Sequence, residues 1–548
     1  MNRIVYLLVV SCVLLLSCTP EVEPEEQQPV VPSQRQDITI RGTVFDDAGN
    51  RLEGVVVSDC YQAVKTDKDG VFELSSDLDT AKFVYVSIPS GYSVPVKKGL
   101  PIFYKRLSEE KQAADSIYRL EFILNKMGKD PDRYSVMMVA DPQPRTRNKA
   151  HDKIAYHSLD CCNDLYRDMR ETGEEISRDR QCYAVMLGDI VHEDMSLFDK
   201  YIEDGTSKMG FPTFNVIGNH DNLPKAADDF EAASVFEEKF GPSNYSFNLG
   251  KVHYVVLDNM ITDGGMGLRD DIMQWLKSDL SYIDKSTTIM ICSHAPMFMC
   301  DGSEYYLKAR NGEVYAALLS GYKKVYAWAG HTHAMSHHVY EDDSNMKNIE
   351  AHTLVRATGE LWTNEYQSSG TPRGYVIVDV SGDDITWKFK PTVYQMSAPF
   401  STTPEYNYRR WDYGSDGIAV MKDGGCILDT SYQMNVYPKG THGDNNIYVN
   451  VFMWDQLWGT PVFVSDSDPD HEFKFIKVST KKKLDMAQKE IYDFYSVESQ
   501  TFKEYGTYSW SDASWQRTFS LYTNKSTDSG VVKVKDRFGN VFTQKVSW

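Results

Sequence analysis

The chain has 548 residues, 41% hydrophobic and 25% charged, with a mean hydropathy of −0.45; that leaves room for roughly two to four domains and excludes both a polytopic membrane protein and wholesale disorder. Lys and Arg number 58 against 78 Asp and Glu, a net charge of −20. Nucleic-acid binders carry basic surface to neutralise phosphates, so no nucleic-acid partner is expected, and the simplest source of local positive charge is a bound metal.

Residues 1–18 read as an address. Arg3 gives a short positive start, the stretch from Ile4 to Leu16 is apolar, and Leu15-Leu16-Ser17-Cys18 follows. The run is shorter than the ~20 residues needed to span a bilayer and has the layout of a secretory signal. A small residue directly before Cys18 resembles a bacterial lipobox, which implies cleavage before Cys18 and its lipidation; the plainer alternative is an ordinary signal peptide. Residues 19–36, rich in Pro, Glu and Gln, cannot build a core and read as a disordered tether. The expectation is an exported lipoprotein, anchored to the outer membrane on its periplasmic face or at the cell surface. Of the nine cysteines, the seven beyond Cys12 and Cys18 form no CxxC pair, and most of them read as buried small apolar side chains.

From 37 to 127, short strands are broken by Asp/Gly turns. Ile38, Ile40 and Val44 alternate with polar residues, Asp46-Asp47-Ala48-Gly49-Asn50 is a turn, and Phe83-Val84-Tyr85-Val86-Ser87 is a further strand. This predicts a small β-sandwich, and the pattern resembles the carboxypeptidase-regulatory-like domains of secreted bacterial proteins. Asp67-Lys68-Asp69-Gly70 lacks the remaining ligands of an EF-hand and reads as a plain turn.

From 134 to 393, apolar runs alternate with helical stretches. Ser135–Ala140, Tyr183–Leu187, Phe214–Ile217, His253–Leu257, Ile289–Cys292 and Val325–Ala329 are strand-like; Ile154, Leu159, Leu165 and Met169 mark one helix, and Leu268–Leu280 another. Buried strands alternating with helices predict an α/β layered domain. From 394 to 548 the chain returns to short strands, including Ile447–Phe452 and Val531–Val534. This part holds six of the ten Trp (Trp411, Trp454, Trp458, Trp510, Trp515 and Trp548), weighed toward core over a ligand platform because Trp is highly buried on average.

The chemistry falls at the ends of the apolar runs. They release Asp141-Pro142-Gln143, Gly188-Asp189, Gly218-Asn219-His220-Asp221, Ser293-His294 and Gly330-His331-Thr332-His333 at the carboxyl ends of strands, where α/β sheets assemble ligand sites. A lone Asp there is commonly a helix cap. Five such loops, limited to carboxylate, carboxamide and imidazole, instead suit a pair of divalent metals of the manganese, iron or zinc type.

In this order the blocks resemble the signature of the calcineurin-like metallophosphoesterases, over about residues 134 to 340. The resemblance implies an α/β, four-layer αββα core, and the full chain is similar to secreted bacterial members that flank it with two all-β domains. It further implies that Asp141, Gln143, Asp189 and His333 bind a first metal, and Asp189, Asn219, His294 and His331 a second. Such a pair, ~3.5–4 Å apart, clamps phosphate oxygens and activates a bridging hydroxide, with His220 as the acid and Asp221 orienting its ring. Gln143 stands where the family usually has His, which implies a weaker first site shifted from zinc toward manganese or magnesium.

Around this core, Arg145 and Arg147 are candidate phosphate contacts weighed evenly against solvated loop arginines, His192 is a candidate substrate contact weighed toward a supporting or surface histidine, and His337 and His338 read as structural. Glu360-Leu361-Trp362 and the Gly370-Thr371-Pro372-Arg373-Gly374-Tyr375 stretch are read as a candidate substrate lip. The expected substrate is a small phosphorylated molecule. The alternatives are hydrolysis of diesters rather than monoesters, and a catalytically weak glycan-binding surface lipoprotein on the same scaffold.

Overall fold

The computed structural model describes residues 37–145, 154–262, 265–298, 309–340, 346–359, 371–392, 409–413, 419–423, 433–441, 443–478 and 517–548. The signal, Cys18 and the tether lie outside the described residues, as do Arg147, Glu360, Leu361, Trp362, Trp510 and Trp515.

The first segment is two four-stranded sheets. One orders Val71–Leu74, Ile40–Asp46, Tyr118–Lys126 and Tyr92–Ser93; the other orders Ala63–Lys65, Val56–Ser58, Phe83–Val86 and Tyr104–Arg106. Ile40, Val44, Leu120, Phe122 and Leu124 point into one core, the period-2 burial expected of a half-covered sheet. The first strand pairs in parallel with the last, Ile40 opposite Tyr118. Asp67 Oδ1 accepts from the amides of Asp69 and Val71, so that stretch is the plain turn expected. Trp275 Nε1 donates to Tyr85 OH (3.1 Å) and Ala63 N–H to Ser278 Oγ (2.9 Å), docking this segment on the Asp270–Leu280 helix.

The central segment holds two mixed sheets. In order across the first lie Thr213–Val216, Gln181–Leu187, Arg133–Val139, Gly374–Ser381 and Asp384–Pro391, and across the second Tyr245–Leu249, Val252–Leu257, Thr288–Ser293, Lys324–Ala329, Ile349–Thr353 and Ser336–Val339. Strands buried on both faces explain the unbroken apolar runs. Val136 and Met138 join the core shared by both sheets, while Met137 and Val139 pack with Leu165 and Met169 of the Ile154–Ile176 helix. The ring of Phe214 stacks on Phe247 at 3.8 Å, and Tyr134 OH meets Tyr254 OH at 3.2 Å, tying sheet to sheet. Trp275, Leu276, Tyr315 and Leu319, from the Asp270–Leu280 and Gly312–Ser320 helices, cover the second sheet, giving the αββα order. The second helix expected at Leu268–Leu280 starts two residues later.

The C-terminal segment adds a sheet of Met434–Tyr437, Asn446–Val451, Thr518–Tyr522 and Ile476–Lys477, and another of Asp468–Lys474, Val462–Ser465, Ser529–Lys535 and Val541–Ser547. Trp458 is buried, and Trp454 and Trp548 pack half-buried against the core. Cys162, Cys182 and Cys292 are buried among apolar neighbours, whereas Cys60 and Cys161 are half-buried.

Candidate metal centre

Three loops from the carboxyl edge of the first sheet and two from the second meet at one place. The strand Arg133–Val139 delivers Asp141 and Gln143, Gln181–Leu187 delivers Asp189, and Thr213–Val216 delivers Asn219, His220 and Asp221. Opposite them, Thr288–Ser293 ends at His294, and Lys324–Ala329 leads to His331 and His333. Five of these side chains sit on left-handed backbone: Asp141 (φ 53°), Gln143 (45°), Asp189 (51°), His331 (67°) and His333 (56°). Non-glycine residues seldom adopt that region, and strain of this kind gathers at functional sites. Close approach also requires the glycines between them. A Cβ on Gly188, itself at φ +84°, would lie 2.5 Å from His294 Nδ1, and one on Gly218 2.2 Å from the Asp189 amide nitrogen.

Two groups of ligand atoms result, Asp189 with His294 and His331, and Asp141 with Asp189 and His333; in each, all atoms lie within 4.8 Å of one another, and Asp189 is shared. His294 Nδ1 lies 2.9 Å from Leu187 O; donating its proton there leaves Nε2 a lone pair. That Nε2 lies 3.0 Å from Asn219 Oδ1, 3.2 Å from Asp189 Oδ1 and 3.2 Å from His331 Nδ1. These donor atoms converge on one point, as the ligands of a cation do once the ring has given up its second proton. His333 Nε2 stands 3.4 Å from Asp141 Oδ1. Gln143 donates its amide to Asp189 Oδ2, while its Oε1 is buried without a hydrogen-bond partner among the described residues. The donor set of oxygen and imidazole nitrogen fits two borderline-hard divalent ions.

Without a metal, the same groups act on one another. Burial alone would raise Asp189, but the adjacent His294 holds it well below the usual carboxylate range. Burial would lower His294, yet Asp189 lifts it to about 10. Burial and then His294 push His331 down to about 4, which keeps its ring neutral as a metal ligand must be.

Beside the ligands, the ring of His220 lies 4.2 Å from that of His192, and burial followed by His220 pushes His192 down to about 3. The expectation that Asp221 orients the His220 ring is corrected. Asp221 is fully buried and accepts from the amides of Gly218, Ile190 and Val191 at 2.9–3.1 Å, so it shapes the loops of Asp189 and Asn219. The carboxylate beside His220 Nδ1 is Glu193, at 3.4 Å. Arg145 is pinned by its backbone amide to Ser158 Oγ, 3.1 Å, at the end of the first ligand loop.

The candidate lip is also corrected over its described part. Arg373 is 1% exposed and binds Asp164, and Tyr375 OH donates to Asp168; both tie the first sheet to the Ile154–Ile176 helix. His337 Nδ1 meets His352 Nδ1 at 2.9 Å, buried in the second sheet, and His338 bonds Gln456. A residue missed in the sequence is Arg356, 3% exposed, with Nη2 at 3.1 Å from His333 Nε2. It follows the Ile349–Thr353 strand as the other functional side chains follow theirs, which is the signal that would have found it. A cleft of about 650 Å³ between the first segment and the central one shares no residue with this centre.

Three family models match in succession: the N terminal of calcineurin-like phosphoesterase over residues 38–123, calcineurin-like phosphoesterase over 134–335, and the C terminal of calcineurin-like phosphoesterase over 351–542. No curated protein matches. Among solved structures, the chain is similar to a purple acid phosphatase from yellow lupin (Lupinus luteus) seeds, at 12% identity and a TM-score of 0.36, covering 50% of this chain and 55% of that one. A 5'-nucleotidase from Candida albicans matches at 13% identity and a TM-score of 0.29, covering 47% and 52%. The chain thus spans about half the length of each of these two proteins.

Proposed function

The chain belongs to the calcineurin-like phosphoesterases, and on that premise we propose that it hydrolyses phosphate esters with two divalent cations. Asp141, Gln143, Asp189 and His333 hold one, and Asp189, Asn219, His294 and His331 the other. The observation that carries this reading is the shared, buried Asp189 between two groups of ligand atoms. When bound, the cations polarise the phosphate and make a water acidic enough to attack it at neutral pH.

The protein's own groups do the rest. Asp221, through three backbone amides, fixes the loops that present Asp189 and Asn219. His220 keeps a partly exposed ring at the mouth of the centre, placed to give a proton to the leaving oxygen, a contribution of ~10²–10⁴ in rate. The test is hydrolysis of p-nitrophenyl phosphate and its bis-ester after chelation and return of manganese. Turnover that needs the metal is expected, lost in His220→Ala at unchanged metal content; silence toward both esters would sink the reading.

We further propose that the protein works outside the cytoplasm as a lipoprotein. The apolar run before Ser17-Cys18 and the Pro- and Glu-rich stretch behind it support this. Radiolabelled palmitate entering the wild type and not Cys18→Ser is the expected result, and equal labelling would refute it.

A further inference from the structure

The loop that carries His294 is held by a side chain that belongs to neither group of ligands. The parallel strands Val252–Leu257 and Thr288–Ser293 pair as far as Leu257 opposite Ser293. Two residues further along each chain, Asn259 faces Ala295. Its side-chain amide donates to Ala295 O at 2.7 Å, and its Oδ1 accepts from the Ala295 N–H at 3.1 Å. One side chain thus makes both bonds of an extra rung beyond the end of the ladder. His294 lies between that rung and the last rung of the strands. Asn259, His294 and Ala295 are all fully buried, and the backbone carbonyl of Asn259 accepts from Gly267 N–H at 3.0 Å, which fixes the clamp from behind.

Buried peptide groups must find partners inside the protein. A carboxamide offers a donor and an acceptor on one planar, neutral group, so it can satisfy both sides of the Ala295 residue at once. Ser293 Oγ also donates to Ala295 O, at 3.2 Å, which leaves the Ala295 N–H as the group most dependent on Asn259. The other holds on His294 come from elsewhere: its Nδ1 meets Leu187 O at 2.9 Å, and its carbonyl accepts from Gly330 N–H at 2.9 Å, the residue before His331. The clamp therefore acts on the loops of His294 and His331. Among the described residues, Asp141, Gln143 and His333 make no bond to Asn259 or Ala295.

We propose that Asn259 is a positioning residue that sets the affinity of the second cation through the loop of His294, touching neither metal nor substrate. This rests on the two-cation reading given above. Partners that orient metal ligands from outside the coordination shell typically control about 10–100-fold in metal affinity.

The test compares wild type, Asn259→Ala and Asn259→Leu, the second of which keeps the side-chain volume and loses the clamp. Manganese is titrated into chelated protein by calorimetry, and bound metal is counted by elemental analysis. Both variants should lose about 10–100-fold at one of the two sites and stay within about threefold at the other. Adding His294→Ala to either variant should cost little more, whereas adding His333→Ala should remove the remaining ion, because the effects of residues acting on one site do not add. Equal weakening of both sites, two unchanged affinities, or wild-type binding in Asn259→Leu would overturn the proposal, the last because packing alone would then explain the residue. If neither variant folds, hydrogen exchange at the Ala295 amide of metal-free wild type decides: protection matching the Thr288–Ser293 strand is expected, and exchange as fast as an exposed loop would overturn the clamp. A wild type that binds fewer than two ions is seen before any variant is compared; there the two-cation reading fails first, and this proposal falls with it.

Discussion

Gln143 occupies the first ligand position with a neutral amide, and its Oε1 is buried and lacks a hydrogen-bond partner among the described residues. An amide oxygen is a harder and weaker ligand than imidazole, so Gln143→His should raise zinc affinity about tenfold or more and manganese affinity less. Titration of each ion into chelated protein checks this, and two unchanged affinities would remove Gln143 from the ligand set. The same titration read against pH tests His294. Its ring is lifted to about 10 by Asp189 in the metal-free protein, so near neutral pH it carries a proton that a cation must displace. Affinity should therefore rise with pH, about tenfold per unit between 6 and 9 for one released proton, and a flat profile would contradict the assignment. These ligands were legible in the sequence because their loops each follow an apolar run, and Asp189, Asn219, His294 and His331 also follow a turn-forming glycine or serine. The role of Asp221 was not legible: its position beside His220 in the chain says nothing of the left-handed turns that place its carboxylate on three backbone amides.

At the level of strands and helices, the central segment was readable because burial on both faces leaves uninterrupted apolar runs, and the run ends locate the ligand loops. What stayed hidden was pairing between distant segments. Ile40–Asp46 lies parallel to Tyr118–Lys126, and nothing local sets that partner. The link between the core and the C-terminal hairpin is of the same kind. Arg537, in the turn joining Ser529–Lys535 to Val541–Ser547, reaches Glu350 on the second core sheet with two hydrogen bonds of 2.6 and 3.0 Å, and Asp455 at 3.1 Å. Glu350 is fully buried, Lys324 also pairs with it, and Trp387 lies under the guanidinium at 5.1 Å. Removing one partner of such a group strands a buried charge, at a cost of about 3–5 kcal/mol. Arg537→Met should lower the urea midpoint accordingly; a shift worth less than about 1 kcal/mol, the range of a surface pair, would show that the network contributes little. The strand carrying Glu350 leads into Arg356, so this hairpin braces the edge of the candidate site, a connection that sequence spacing cannot express.

Across the whole molecule, the described residues from 38 onward pack as one compact unit, although the sequence changes character twice. The first segment packs Phe103 against Phe214, in the strand that leads to Asn219, and the last leans on the strand pair behind His333, so both flanks touch elements that hold the centre. Net negative charge argued against a nucleic-acid partner, and the strand-end motifs gave the place of a metal centre. The neighbours of the ligands, Arg356 and Glu193 above all, emerged only from the folded chain. The most direct test of the centre is elemental analysis of protein stripped by chelation, reloaded with manganese and freed of excess by gel filtration. Two ions per chain are expected for the wild type and at most one for Asp189→Ala, whose missing carboxylate serves both positions. A wild type that emerges without metal, or an Asp189→Ala that still holds two ions, would contradict the assignment.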